Sequence, residues 1–175
     1  MKMSGHDVRP SLCRHAGALA LALGVCSTAF ALEETAPATA ISPQNTIDAH
    51  ASQPAMLAMG LIGIRYRYGG DTPENGLDCS GLLRHVFRET WRIELPRTSE
   101  EISRLGQHVG PHALQPGDLV FYNTLRRAFS HVGIYLGDNR FIHAPAAGGR
   151  VRIESMDVGY WKKRFNGARR ISPAD

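Results

Sequence analysis

The sequence changes its hydrophobic period once, at Pro116-Gly117, and this change constrains the fold more than any other feature. Before it, apolar side chains recur at helical spacing, most clearly over residues 79–91, where they share one face. After it, short runs rich in β-branched and aromatic residues are separated by Gly, Asp and Asn turns. Helices followed by a meander of antiparallel strands predict an α+β fold.

Three helices are predicted before this change. The first begins at Pro54, because proline is favoured at the first helical position. The second covers residues 79–91, and the third starts after Thr98, where Glu101 three residues on completes a capping box. The apolar positions of the first helix are Met56, Leu57, Met59 and Leu61. The predicted strands are residues 118–122, 131–136, 140–143 and 150–153, with a further strand near 168–171.

The chain divides into three parts by composition. Residues 1–31 combine early basic residues, an apolar stretch and an Ala29-Phe30-Ala31 cleavage pattern, which predicts an export signal. Residues 32–53 are rich in Ala, Thr, Pro and Ser without an apolar period, and predict a flexible linker. A chain of 175 residues has room for one packed core, which we place in residues 54–172.

The cysteines favour an exported protein with one free thiol. Signal removal eliminates Cys13, and Cys26 is either removed or lipidated, so that Cys79 alone remains as a thiol. Val25 is too large for the position before a lipidated cysteine, which favours soluble secretion over a membrane anchor through Cys26. A lone cysteine in an oxidising compartment calls for a chemical reason, although a buried apolar cysteine is the ordinary alternative.

The charge and the apolar runs limit the partners. The net charge of +4, from 20 basic and 16 acidic residues, is not clustered as nucleic-acid binding would require. No apolar run beyond the N-terminus reaches the length of a membrane-spanning helix. We therefore expect no nucleic-acid partner, and a monomer is the default oligomeric state.

Cys79 lies where a turn-rich segment meets an amphipathic helix. The first turn of a helix has unpaired N–H groups and a partial positive charge, which favour a thiolate. The small neighbours Ser80 and Gly81 leave room for a substrate carbonyl and for backbone N–H groups that hold an oxyanion. Tyr66 could donate to the same oxyanion, or could be one more half-buried tyrosine.

A thiol nucleophile needs an acid for the leaving amine, and two histidines are placed to assist it. His131 and His143 lie in neighbouring strands of one predicted hairpin. With a three-residue loop over 137–139, His143 falls opposite Gly133 and diagonal to His131, on the same face. A two-residue loop would place the imidazoles on opposite faces, so the prediction depends on the loop. His50, His85, His108 and His112 are expected to be solvated surface residues.

Seven ordered motifs resemble those of the NlpC-type cell-wall peptidases over residues 55–171. They are Arg65-Tyr-Arg-Tyr-Gly-Gly, Asp78-Cys-Ser-Gly, Leu95-Pro-Arg-Thr-Ser, Pro116-Gly-Asp-Leu-Val, Ser130-His-Val-Gly-Ile-Tyr-Leu-Gly, Phe141-Ile-His-Ala and Tyr160-Trp-Lys-Lys-Arg-Phe. The resemblance implies a papain-like core whose catalytic cysteine opens a helix packed on a small antiparallel sheet.

The resemblance also implies the roles of the site residues. It makes Cys79 the nucleophile, His131 the general base, His143 the third polar member and Tyr66 the oxyanion tyrosine. Asp78 and Ser80 correspond to positions that line the substrate groove in some members. No metal or cofactor is implied.

The expected function is hydrolysis of peptidoglycan stem peptides in the periplasm or envelope of a Gram-negative bacterium. The bond is either D-Ala to diaminopimelate or γ-D-Glu to diaminopimelate. An amidase or acyltransferase with the same thiol, and a non-catalytic wall-binding module, are the alternatives. A binder has no need of an exported thiol, which disfavours the last.

Overall fold

A computed structural model describes residues 52–124, 126–147 and 149–173. The predicted export signal, residues 1–31, and the predicted linker up to residue 51 lie outside the described residues. Within the described residues no helix is long and apolar enough to cross a bilayer. The fold contains short helices and antiparallel sheets, which confirms the predicted α+β class.

The central helix has the predicted bounds because both of its ends are set locally. Four helices are described: α1 (residues 52–59), α2 (Cys79–Trp91), α3 (Ser99–Ile102) and α4 (Gly159–Lys162). Asp78 caps the start of α2 by accepting a hydrogen bond from the Gly81 N–H, and Arg92 ends it in the left-handed conformation at φ 58°. Thr98 and Glu101 form the predicted capping box of α3.

The predicted first helix is present as α1, and its alanines are more deeply buried than its methionines. Ala55, Ala58 and Leu61 lie in the core, while Met56 and Met59 are 57% and 47% exposed. Of the four apolar positions that predicted this helix, Leu61 is buried and Leu57 is half-buried against the core, so that the two methionines alone face solvent. The described part of α1 includes Ser52, two residues before the predicted start at Pro54.

Within the described ranges, eight strands form two sheets. They are β1 (Asp71–Thr72), β2 (Gly76–Leu77), β3 (Gln107–Val109), β4 (Leu119–Tyr122), β5 (His131–Gly137), β6 (Arg140–His143), β7 (Arg152–Ser155) and β8 (Phe165–Arg170). The first two make a small hairpin, and the others make a six-stranded sheet in the order β3-β8-β4-β5-β6-β7. Strands β1, β2 and β3 were not predicted, and β7 begins two residues later than predicted, because these short or partly exposed segments have little hydrophobic periodicity.

The hairpin of β5 and β6 brings the two histidines together by a route that was not predicted. Its turn has two residues, Asp138 and Asn139, both left-handed at φ 50° and 53°. A register shift between Tyr135 and Gly137 adds a bulged residue to β5. Turn and bulge together give the register of a three-residue loop, because Tyr135 pairs with Phe141. The predicted common face is therefore confirmed, although the loop is shorter.

The six-stranded sheet has a different core on each face. One face packs against α2 through aliphatic side chains such as Leu82, Val132 and Ile134. The other carries a smaller cluster, which we call the aromatic cluster; its members are Val109, Val120, Tyr122, Tyr135, Phe141, Trp161 and Ala168. The alternation of side chains along β5 and β6 places His131 and His143 on the side of the aromatic cluster.

Candidate active site

The start of α2 and the start of β5 border one cleft of about 850 Å³. Cys79 and His131 both line it, and Tyr66, Asp78 and Ser80 lie along the same wall as the cysteine. The remaining lining residues precede or follow these elements in the chain. They are Tyr68 and Gly69; Arg97, Thr98 and Ser99; Thr124, Arg127 and Ser130; Ala144, Pro145, Ala146 and Ala147; Arg152 and Glu154; and Val158, Tyr160 and Trp161. The cleft thus unites the residues that the sequence analysis selected, except His143, which lies behind His131.

Asp78 holds the start of α2 through a network that uses both of its carboxylate oxygens. Oδ1 accepts from the Gly81 N–H at 2.7 Å and from the Ser80 hydroxyl at 3.1 Å, and Oδ2 accepts from the Gly69 N–H at 2.9 Å. The Arg97 guanidinium contacts both oxygens and also donates to Ser80 Oγ at 2.8 Å. Although burial opposes it, this network holds the pKa of Asp78 below its usual value.

The thiol of Cys79 is more basic than its position at a helix start suggested. Burial and the neighbouring Asp78 carboxylate raise the pKa of Cys79 to about 11. The backbone N–H groups of Val132 and Ser80 favour the thiolate, but they do not outweigh burial. Our expectation of a resting thiolate was therefore wrong. The structure instead favours a neutral thiol that needs a base during the reaction.

The two imidazoles meet in a direct hydrogen bond. His131 Nε2 lies 2.7 Å from His143 Nδ1, and the rings are nearly perpendicular at 87°. His143 is fully buried, and His131 is only 8% exposed. Burial lowers the pKa of both imidazoles, so both are neutral near pH 7. Because Nε2 of His131 is engaged, Nδ1 is the ring nitrogen left to accept a proton.

Gly133 makes the contact of the imidazoles geometrically feasible. A Cβ at this position would lie 2.7 Å from both the Ile142 carbonyl oxygen and Phe141 Cδ2, and 3.2 Å from His143 Cβ. These separations are shorter than van der Waals contact, so a larger residue would push β5 and β6 apart. The close approach of β6 thus leaves no space for a side chain at residue 133; that this glycine leaves room between the histidines stays a prediction.

Trp161 and Glu154 were given no role in the site by sequence reasoning. Trp161 stacks on His131, with ring centroids 5.5 Å apart and planes at 25°, and meets His143 edge-on at 5.0 Å. Glu154 accepts hydrogen bonds from Trp161 Nε1 and Arg152 Nε, and its Oε1 lies 3.6 Å from His143 Nε2. The motif that begins at Tyr160 marked Trp161, but nothing in the local pattern marked Glu154.

The other predicted residues occupy different positions. Tyr66 lines the cleft together with Cys79, and burial and the nearby Cys79 and Asp78 raise the pKa of its hydroxyl. His108 and His112 are exposed as expected, and His50 lies outside the described residues. His85 is only partly exposed, and its Nδ1 is buried without a hydrogen-bond partner among the described residues. In the described ranges, no group of three or more His, Cys, Asp or Glu side chains could hold a metal ion.

Proteins of similar sequence include bacterial murein endopeptidases and a bacterial glutamyl hydrolase. Over 109 residues the chain is 47% identical to the murein DD-endopeptidase MepS/murein LD-carboxypeptidase of Escherichia coli K12, covering 62% of this chain and 56% of that protein. It is 43% identical over 111 residues to the gamma-DL-glutamyl hydrolase of Bacillus subtilis, covering 63% of this chain and 27% of that protein. The chain thus spans about half or less of the length of these relatives.

Solved structures of similar fold lead to the same family. An NlpC/P60 family protein from Bacillus cereus matches with a TM-score of 0.64 and 31% identity, covering 69% of this chain and 39% of that one. The NlpC/P60 domain of the peptidoglycan hydrolase SagA matches with a TM-score of 0.61 and 26% identity, covering 69% and 98%. The NlpC/P60 family pattern itself matches residues 63–170, which contain every residue of the predicted site. The chain belongs to the NlpC/P60 family.

Proposed function

We propose that the chain is a peptidoglycan endopeptidase in which Cys79 is the nucleophile, His131 the base and His143 the residue that orients the base. One observation carries the proposal: Cys79 and His131 line the same cleft, while His143 occupies Nε2 of His131. That contact leaves Nδ1 as the free basic nitrogen. Relatives that act on murein supply the substrate class.

The first half of the reaction forms a thioester. As the Cys79 sulfur attacks the substrate carbonyl carbon, its proton moves to Nδ1 of His131, so a thiol with a raised pKa need not ionise beforehand. The developing oxyanion accepts from the Tyr66 hydroxyl and from the backbone N–H of Cys79, which opens α2 and has no intrahelical partner. The tetrahedral adduct then expels the amine, which takes the proton from His131.

The second half of the reaction uses water. His131 accepts a proton from a water molecule whose oxygen attacks the thioester carbonyl, and the proton then returns to the sulfur as the carbon–sulfur bond breaks. An amine that attacked in place of water would make the protein an acyltransferase, whereas an amidase would use water in the same way on a different amide bond. Asp78 and Ser80 shape the cleft beside the nucleophile, and we retain substrate contact as their proposed role.

The test is digestion of purified peptidoglycan followed by mass spectrometry of the fragments. We expect wild-type protein to release cleaved stem peptides and Cys79→Ala to release none. Conversion of cross-linked muropeptides to monomers would identify the D-Ala to diaminopimelate bond, and a disaccharide-dipeptide would identify the γ-D-Glu to diaminopimelate bond. Binding of peptidoglycan without any cleavage product would indicate a non-catalytic wall-binding module. Equal cleavage by Cys79→Ala would contradict the mechanism.

We further propose that the protein acts in the periplasm of a Gram-negative bacterium after removal of residues 1–31, as a soluble monomer. The order of basic residues, apolar stretch and cleavage pattern supports export. Intact mass spectrometry of the periplasmic protein should give the mass of residues 32–175. A mass that fits a chain beginning at Cys26 with attached acyl groups would show a lipid anchor instead.

A further inference from the structure

We infer that Glu154 is a positioning residue of the reaction proposed above, because its carboxylate fixes the orientation of both His143 and Trp161, the two residues that hold His131. The inference rests on that proposed function. It concerns a residue two positions from the β-strand partner of His143, on a strand that the sequence analysis placed two residues early.

The register of β6 and β7 places Glu154 beside the histidine pair. Within the pairing of β6 and β7, His143 lies opposite Arg152 and Phe141 opposite Glu154. Side chains on one face of an antiparallel pair meet their diagonal neighbours as well as the residue directly opposite. Glu154 Oε1 thus comes within 3.6 Å of His143 Nε2, although His143 is fully buried and the glutamate side chain is 23% exposed.

The proton positions follow from the role of His131 as base. If Nδ1 of His131 is to accept the thiol proton, its other nitrogen Nε2 carries a hydrogen and donates to His143. His143 then accepts at Nδ1 and carries its own hydrogen on Nε2. That N–H is buried and has no hydrogen-bond partner among the described residues. An unpaired buried N–H is costly, and the Glu154 carboxylate is the negative charge beside it.

The opposite tautomer of His143 would disable the base. With its hydrogen on Nδ1, His143 would donate to Nε2 of His131, whose remaining hydrogen would then lie on Nδ1 and face the cleft. A protonated Nδ1 cannot accept the thiol proton. Glu154 favours the productive tautomer because a carboxylate attracts an N–H at His143 Nε2 and repels a lone pair there.

The second contact of Glu154 supports His131 from the side. Trp161 donates its indole N–H to Oε2 of Glu154, and the indole ring stacks on the His131 ring at 5.5 Å. The carboxylate therefore fixes one neighbour at Nε2 of His131 and another against the face of the ring. Arg152 donates to the same carboxylate and offsets the cost of its partial burial.

The charges around the histidine pair have opposite effects on the pKa of the imidazoles. Burial and His143 lower the pKa of His131, and Glu154 raises it. Burial and Arg152 lower the pKa of His143. The other titratable groups that face the cluster are the Tyr122 hydroxyl, whose pKa burial and Glu154 raise, and the Cys79 thiol across the cleft.

The test compares Glu154→Gln with wild type in the peptide-cleavage assay as a function of pH. Gln keeps the shape and an acceptor for Trp161 but removes the charge. We expect kcat to fall on the order of tenfold with KM unchanged, less than for the aspartate of a serine-protease triad because Arg152 already neutralises part of the charge. We also expect the acid limb of the pH profile of kcat to move to lower pH, because the lost carboxylate had raised the pKa of His131.

Arg152→Gln removes a positive charge from the same cluster and should therefore shift the pH profile in the opposite direction. Without the cation, the carboxylate acts on the histidines uncompensated, so the acid limb should move to higher pH. This variant also keeps the inference testable if Glu154→Gln does not fold. Asp157→Asn, an exposed carboxylate near the end of the same segment, is the matched control and should leave the profile unchanged.

The outcomes separate the inference from the function on which it rests. Wild-type protein that leaves peptidoglycan intact would overturn the proposed function. Active wild type, with Glu154→Gln equal to it in kcat and in its acid limb, would overturn the role of Glu154 alone. A loss of activity that follows only a lower melting temperature, with an unmoved acid limb, would also overturn that role and leave Glu154 as a structural residue.

Discussion

The two walls of the cleft are built on different principles. The wall of the nucleophile is charged and local: Asp78 immediately precedes Cys79, caps its helix and binds Arg97. The wall of the base is aromatic and assembled from distant segments, because His131, His143, Glu154 and Trp161 come from three strands and α4. The nucleophile is therefore placed by a helix start and the base by packing between strands.

This difference implies different sensitivities. Changes on the nucleophile side should act first on stability, because they remove a cap and a partly buried ion pair. Changes on the base side should act first on turnover, because they alter the orientation and protonation of the His131 imidazole, which is only 8% exposed.

His131→Ala should have the largest effect on the base side. Without an acceptor for the thiol proton, a Cys79 with a pKa of about 11 stays protonated, and kcat should fall by about 10³ to 10⁴. Muropeptide release measures the loss. His108→Ala, which removes an exposed imidazole from β3, is the matched control and should cleave as wild type. Normal turnover in His131→Ala would show that another residue is the general base.

His143→Ala should lower kcat by about a hundredfold, because His131 keeps its basic nitrogen but loses the partner that orients it. Alkylation of Cys79 by iodoacetamide should continue in this variant and slow in His131→Ala. If His143→Ala no longer reacted while His131→Ala reacted normally, the two histidines would have exchanged roles.

Gly133→Ala tests the packing between the histidines. The added Cβ would meet Phe141 Cδ2 at 2.7 Å, so we expect a loss of about 1–3 kcal/mol in stability and a fall of roughly tenfold in kcat. Gly110→Ala is the control, because a Cβ there meets nothing within 4 Å. Denaturant unfolding and muropeptide release on both variants measure the effects. Equal behaviour of the two variants would show that the hairpin tolerates a larger separation.

Asp78→Asn should have the smallest effect on turnover and a clear effect on stability. Asparagine still caps the helix, but the ion pair with Arg97 is lost, which should cost about 2 kcal/mol. Because the pKa of Asp78 is lowered by folding, this stabilisation is present above the unfolded value of 3.8 and disappears as pH falls through the folded value.

Unfolding of wild type and Asp78→Asn by denaturant from pH 7 to pH 2 would check this prediction. The difference in free energy of unfolding should shrink as the pH falls. A constant difference across that range would show that the carboxylate charge is not the source.

Local signals predicted the nucleophile side in detail. The bounds of α2, the capping box at Thr98 and the position of Cys79 at a helix start all follow from residues within one or two turns of each other. The raised pKa of Cys79 could not be predicted in this way, because burial of the thiol depends on core residues that are distant in sequence.

The base side was predictable only in part. Strand alternation placed His131 and His143 on one face, given the right register. The bulge in β5, which sets that register, has Gly137 at φ 96° as its local sign, and a glycine before a turn does not by itself predict a bulge. Glu154 could not be predicted, because its partners are His143 on β6 and Trp161 on α4, which are distant in sequence. A lone glutamate in a polar strand also gives no periodic signal. The roles of these residues stay predictions until they are measured.

The most direct test of the central claim is intact mass spectrometry of the enzyme quenched with acid during turnover of a stem-peptide substrate. We predict a thioester adduct with the mass of the acyl part of the substrate, located on Cys79 by peptide mapping and absent from Cys79→Ser. Cleavage that proceeds in Cys79→Ser at the wild-type rate, with no acyl group on Cys79 in the wild type, would contradict the account.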